Sequence, residues 1–203
     1  MIEVTVLIFC GRLLLHSSCH NDVVDVTDLR RVQARLGSLP RGEQAAMSLA
    51  VAEALGPLAE LGEQVVASGD VARLLGDARP AIESVSLVAL RQLLAEAEAV
   101  PVMAAREEPP GNAVFAVDVL ACLVYAIKTM IEPEPALWSG YCVQRAYDCL
   151  FFADEALDRS GGPARLMRAR DAWLDGDAGG QLRRESVRLA MLPAQLRQLS
   201  GRG

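Results

Sequence analysis

The stretch Asn112-Ala113-Val114-Phe115-Ala116-Val117-Asp118-Val119-Leu120-Ala121-Cys122-Leu123-Val124-Tyr125-Ala126-Ile127-Lys128-Thr129-Met130-Ile131 decides the fold. Its apolar residues cover nearly every face of a helix, which marks a helix enclosed by others. Asn112 is a ready cap, because its side-chain oxygen accepts from a backbone N–H left free in the first turn. Glu132-Pro133-Glu134-Pro135 follows as a stiff turn, since each proline fixes φ and removes a donor. Residues 112–131 are therefore expected to form the central helix of an all-α protein, a compact multi-helix bundle of about seven or eight helices.

Composition supports that class. The chain has 203 residues and is 52% apolar but only 4% aromatic, so Leu, Val and Ala must fill the core. Such residues suit close-packed helices better than a sandwich of β-branched strands. The length fits a single helical domain over 25–203, with a long connection near 100–111 that ends in Glu107-Glu108-Pro109-Pro110-Gly111.

Upstream of the central stretch, Asp25 or Thr27 can cap a helix with the stripe Leu29, Val32 and Leu36, closed by Gly37. A second helix starts near Pro40 with Glu43 in its first turn, where the dipole favours an acid. Its stripe is Ala46, Leu49, Ala50, Val51, Ala54 and Leu55, and Gly56-Pro57 must bend or break it. Helix is expected to resume through Leu58, Leu61, Val65 and Val66. A short helix with Val71, Leu74 and Leu75 then leads to Pro80, which opens a helix over 80–99 carrying Ile82, Val85, Leu87, Leu90, Leu93 and Leu94. Downstream, a helix from Ala136 to Asp158 carries Leu137, Tyr141, Ala146, Leu150 and Phe151. Gly161-Gly162-Pro163 and Gly179-Gly180 break the chain before a last helix ending near Leu199.

The net charge of −6 argues against nucleic acid as a partner, because an acidic surface repels phosphate. Arg165, Arg168, Arg170, Arg183, Arg184 and Arg188 are interleaved with Asp171, Asp175, Asp177 and Glu185, and read as solvated helix faces. Lys128 is the single lysine among 20 basic residues, a bias of high-GC coding sequences.

Residues 1–24 read as an N-terminal appendage, either a short strand or an over-long gene start. The apolar run 2–15 lacks a basic start, holds Arg12, and is too short to span a bilayer, so no membrane role is expected. Leu15-His16-Ser17-Ser18-Cys19 fits a lipoprotein cleavage site poorly. Cys10, His16, Cys19 and His20 are zinc-type ligands, but they crowd into a single segment, where closed sites draw ligand pairs from two. No metal and no cofactor is expected. Five cysteines without regular spacing form no disulfide framework, which suits a reducing cytoplasm.

Asp118 is the most informative residue, since a bare carboxylate in an apolar helix is costly to bury. Arg145 on the following helix is its expected partner, with a planar fork that fits a carboxylate. Tyr141, Arg145 and Asp148 share one helix face at spacings of four and three, and read as a polar seam between helices. The other reading of Asp118, Tyr141 and Arg145 is a pocket. Gly-x-Gly-x-x-Gly, Gly-Lys-Ser/Thr, Gly-x-Ser-x-Gly, His-Glu-x-x-His and Glu-x-x-His patterns are all absent. The helical body holds no histidine either, so the usual proton carrier is missing and an enzyme is the less expected class.

Glu53 followed by Pro57, then Gly69-Asp70 opening a short helix, then Ala116-Val117-Asp118 inside an apolar helix, occur in an order with a parallel. Over residues 28–158 the chain resembles the YjaG-like family of small helical bacterial domains of unknown function. Ala54 stands where that family has Arg, the Asn-Tyr after its proline is absent, and its Trp on the next helix has no match. The resemblance implies a helical fold and supplies no activity. Tyr125-Ala126 and Arg145-Ala146-Tyr147-Asp148, set in Ala-rich helices, are also similar to immunity proteins of bacterial toxin systems. That similarity implies an acidic, non-enzymatic cytoplasmic protein that binds one toxin.

The leading expectation is thus a non-enzymatic helical interaction protein of the immunity-antidote type, binding a basic protein partner through Glu96, Glu98, Glu107 and Glu108. The alternative is a small-molecule-binding or enzymatic domain with a pocket near Asp118, Tyr141 and Arg145. A homodimer with a structural role is the third.

Overall fold

The structure, a computed structural model, describes residues 26–60, 68–105 and 113–157, together with residues 180, 183, 184 and 187. The appendage 1–24, the acids Glu107 and Glu108, and the last helix apart from those four positions lie outside the described residues. Seven helices are present among the described residues and no strand, so the fold is an all-α bundle. They are α1 Val26–Gly37, α2 Arg41–Ala59, α3 Ser68–Glu83, α4 Leu87–Ala99, α5 Pro101–Ala104, α6 Ala113–Ile131 and α7 Pro135–Leu157.

Helix α6 is central, as its patterning demands. Phe115, Val119, Leu120, Leu123 and Ile127 are fully enclosed, and the helix packs against α2, α3, α4, α5 and α7. Burying one such side chain contributes about 1.5–3 kcal/mol, so the five together contribute substantially to core stability. It is long and apolar enough to cross a membrane by length and composition, and 83% of its most apolar window is buried inside the bundle. Its buried neighbours on α1 to α5 and α7 join it in one continuous core.

Three local expectations need correction. Helix α2 buries Gln44, Ala45, Ser48, Leu49, Val51, Ala52, Ala54, Leu55 and Leu58, whereas Ala46 is exposed. Two polar residues are thus on the buried side, because α2 is covered by α3, α6 and α7 over a broad arc. Of the bend or break expected at Gly56-Pro57, the break does not occur there; the helix runs two residues beyond Pro57, to Ala59. A proline at this position cannot donate to the Glu53 carbonyl, and Arg183 Nη1 donates to that oxygen instead at 3.4 Å.

The third correction concerns Pro80. It lies inside α3, not at the start of a new helix. The apolar stripe Val71, Leu74, Leu75, Ala78, Ala81 and Ile82 continues in phase through it and is buried throughout. The carbonyl that Pro80 frees belongs to Gly76, and both residues are exposed, so water can satisfy it. The real boundary comes five residues later. Val85 N–H donates to Ile82 O at 3.1 Å and Ser86 N–H to Ala81 O at 3.0 Å, the paired bonds of a Schellman C-cap. That motif needs a left-handed residue, and here it is Val85 at φ 53°.

The long connection also contains structure. Its first residues wind into the single turn α5, which buries Val102 under α6. The Glu132–Pro135 turn is tight as expected, with Glu134 left-handed at φ 59° and its carbonyl accepting from Leu137 N–H at 2.9 Å.

Candidate functional site

Asp118 sits in the second turn of α6, on the side that faces α7, and Arg145 reaches it from α7. Arg145 Nη2 lies 2.6 Å from Asp118 Oδ1, with side chains only 13% and 8% exposed. The expected ion pair is therefore real and well enclosed. Burial pulls the Arg145 guanidinium down, but the Asp118 charge, with Tyr125 and two nearby thiols, outweighs it, so the guanidinium holds its proton more firmly than usual. Arg145 Nε is buried without a hydrogen-bond partner, so the fork is only partly used.

The surroundings are those of a seam. Asp148, one turn beyond Arg145, accepts from Gln144 Nε2 at 2.9 Å. Burial pushes its carboxyl up to about 6, against the opposing effects of Gln144 and Arg145. Cys149 hydrogen-bonds Asp118, and burial followed by that carboxylate's charge pushes its thiol far up. Burial also pushes the Cys122 thiol up. Cys122 Sγ donates to Cys142 O and Cys142 Sγ to Cys122 O, each at 3.5 Å, so the two helices are cross-tied there. Protonated, enclosed thiols behave as small apolar groups and not as nucleophiles.

Tyr141 belongs to a neighbouring aromatic group. Its ring lies 6.0 Å from both Tyr125 and Trp138, and Tyr125 stacks on Trp138 at 6.1 Å. Lys128 Nζ stands 5.3 Å from the Trp138 ring centroid and 3.4 Å from Glu98 Oε1. Three of the chain's five Tyr and Trp residues thus meet at one end of the α6–α7 seam. Sequence reasoning missed this cluster, although the i, i+3 spacing of Trp138 and Tyr141 signals it.

Glu96 and Glu98, expected as partner-facing acids, each pair with a cation of the same chain while Glu98 stays half exposed. Glu96 accepts from Arg73 at 3.0 Å and from Gln92 at 3.1 Å, and its carboxyl is lowered chiefly by the Arg73 hydrogen bond. Glu53 is likewise bound in a two-bonded pair with Arg79. Among the described residues no group of three His, Cys, Asp or Glu is placed to hold a metal ion.

Two open concavities lie elsewhere among the described residues. One, of about 450 Å³, is bounded by Gln33 and Gly37 of α1, Gln44 of α2 and the Glu134–Leu137 turn. Gln44 Oε1 is buried there without a partner, while its Nε2 donates to Leu39 O at 2.8 Å. Another, of about 500 Å³, is bounded by Gly180, Arg183, Arg184 and Val187. Neither is lined by Asp118, Tyr141 or Arg145. No family model, curated protein or solved structure matches the chain.

Proposed function

We propose that this chain is a non-enzymatic helical interaction protein, an immunity-type antidote that binds a basic protein toxin in the cytoplasm. The observation that carries this reading is the closed α6–α7 seam. Asp118 and Arg145, the residues best suited to chemistry, spend their charges on each other in the interior. An enzyme needs such groups aimed at a space where a substrate can sit. The charge of −6 supports a basic partner, because complementary fields speed encounter and help select the partner. The similarity of the Tyr125-Ala126 and Arg145–Asp148 segments to immunity proteins supports the same class.

Glu96 and Glu98 are partly neutralised by Arg73 and Lys128. The steering charge on this reading therefore falls more heavily on Glu107 and Glu108. The experiment is affinity capture from the native cell with two baits, the wild-type chain and the Glu107→Lys/Glu108→Lys variant, read by mass spectrometry. One stoichiometric basic protein held by the first and lost by the second is the expected result. A retained metabolite with no protein partner would overturn the reading in favour of a small-molecule site near Asp118, Tyr141 and Arg145.

A further inference from the structure

Five large apolar side chains are exposed among the described residues, and three of them are neighbours: Val85 at 59%, Leu87 at 43% and Val88 at 79%. They form the corner between α3 and α4. A lone exposed valine needs no explanation, but a cluster at one corner is a candidate contact surface. The corner is also strained. The left-handed position of a Schellman cap is ordinarily glycine, and a β-branched side chain there is a genuine outlier. Val85 is 59% exposed and belongs to no part of the buried core, so burial does little to offset its backbone strain. Strain that persists at an exposed apolar corner points to a use for the side chain.

The face continues along α4. Val88, Gln92, Ala95 and Ala99 recur at i, i+4, i+7 and i+11 and are all exposed, opposite the buried Leu90, Leu93 and Ala97. Ala95 and Ala99 are small enough for another helix to approach closely. At 1.5 Å per residue this strip is about 17 Å long.

We infer that the α3–α4 corner and the outer face of α4 bind a second copy of this chain in a two-fold contact. The rim chemistry selects that occupant. Glu83, 67% exposed, precedes the corner, with only a loose 3.8 Å contact to Arg79. Arg91 follows the corner, one turn into α4 beyond Val88. It is exposed and makes no ion pair with a described residue. A uniformly basic partner meets Arg91 unfavourably, and a uniformly acidic partner meets Glu83. A surface with an acid on one side and a base on the other is complementary to itself, because a two-fold axis near Val88 sets Glu83 of each copy against Arg91 of the other. A stable interface buries upward of about 1,000 Å², and a contact built from one corner and one short helix face is a small one. The dimer is therefore concentration-dependent. This contact goes beyond the toxin-binding reading and does not depend on it.

The test is sedimentation velocity on the full chain over roughly two decades of protein concentration. The expected result is a mass that rises from one chain to two. Val88→Glu should weaken association at least about tenfold, the size of one lost anchor, with an unchanged circular dichroism spectrum because the side chain is exposed. Glu83→Arg and Arg91→Glu should each weaken it, and the two together should restore most of it. A single-chain mass at every concentration overturns the inference, and so does a dimer indifferent to Val88→Glu. Covering of the patch by residues 1–25 of the same chain would give the first of those outcomes. A double exchange no better than the single ones overturns the two-fold pairing.

Discussion

The α6–α7 seam and the α3–α4 corner break opposite rules. At the seam, charged groups are buried among apolar ones; at the corner, apolar groups stand in water on a strained backbone. The seam resolves its irregularity internally, because Arg145 is 2.6 Å from the carboxylate that burial would otherwise penalise. The corner has no such internal resolution among the described residues. A residue that breaks a rule and is compensated within the fold reports on architecture. One that breaks a rule without compensation reports on something outside the fold.

The largest expected effect breaks the seam. Asp118→Ala leaves the Arg145 guanidinium buried and unpaired, and should cost about 3–5 kcal/mol in denaturant unfolding. Removing both charges, as Asp118→Leu with Arg145→Met, should cost far less, since similar apolar volume fills the space without a desolvated ion. A double variant as unstable as the single one would mean that the pair is needed for more than neutrality, and the seam would return as a candidate active centre.

The next effect sharpens the seam through pH. Asp148 has a folded-state value of about 6 against an ordinary 3.8. The folded protein therefore holds this proton more tightly than the unfolded chain does. Its contribution is fully present below about pH 4 and is lost as pH rises to about 6, with an upper size of about 3 kcal/mol. Asp148→Asn should remove that part of the pH dependence and stabilise the protein at neutral pH. Equal slopes for both chains between pH 4 and 6 would show Asp148 to be better solvated than its surroundings imply.

The seam was legible in the sequence and the corner was not, for physical reasons. A carboxylate inside an apolar helix has few solutions, so Asp118 implied a partner, and Arg145 was the cation in reach. The enclosed helix α6 was equally legible, because its apolar residues cover nearly every face. At the corner, local and long-range signals disagree. Pro80 is a strong local breaker, yet the stripe from Val71 to Ile82 buries without interruption across it, and tertiary packing prevails. Val85 and Leu87 looked like core residues of a helix over 80–99, but the chain turns at Val85 and leaves them outside. No glycine marks that turn, so its usual signal is missing. The aromatic group around Trp138 was hidden because Tyr125 and Tyr141 come from different helices, which only the packing of α6 on α7 brings together.

Pro80 supplies the third test. If α3 is continuous, Pro80→Ala restores a hydrogen bond to Gly76 and removes an interior proline. It should stabilise the protein by about 2 kcal/mol, the interior penalty less the entropy that proline removes from the unfolded chain. If Pro80 instead began a helix, alanine would be neutral or worse, because proline is favoured at that position. Thermal unfolding of the variant distinguishes the two.

The smallest effect on stability separates strain from surface. Val85→Gly relieves a left-handed β-branched residue, a gain of roughly 1–2 kcal/mol, against the greater freedom that glycine has when unfolded. The net should be a stabilisation of about 1 kcal/mol, seen as a higher melting temperature for the monomer. The same substitution removes an apolar side chain from the proposed contact, so self-association should weaken while the fold strengthens. Opposite signs from one substitution are what a residue retained for a partner, at the expense of its own fold, must show. If stability and association fell together, Val85 would be a folding residue whose packing the described bundle does not reveal, and the corner would lose its claim to differ from the seam.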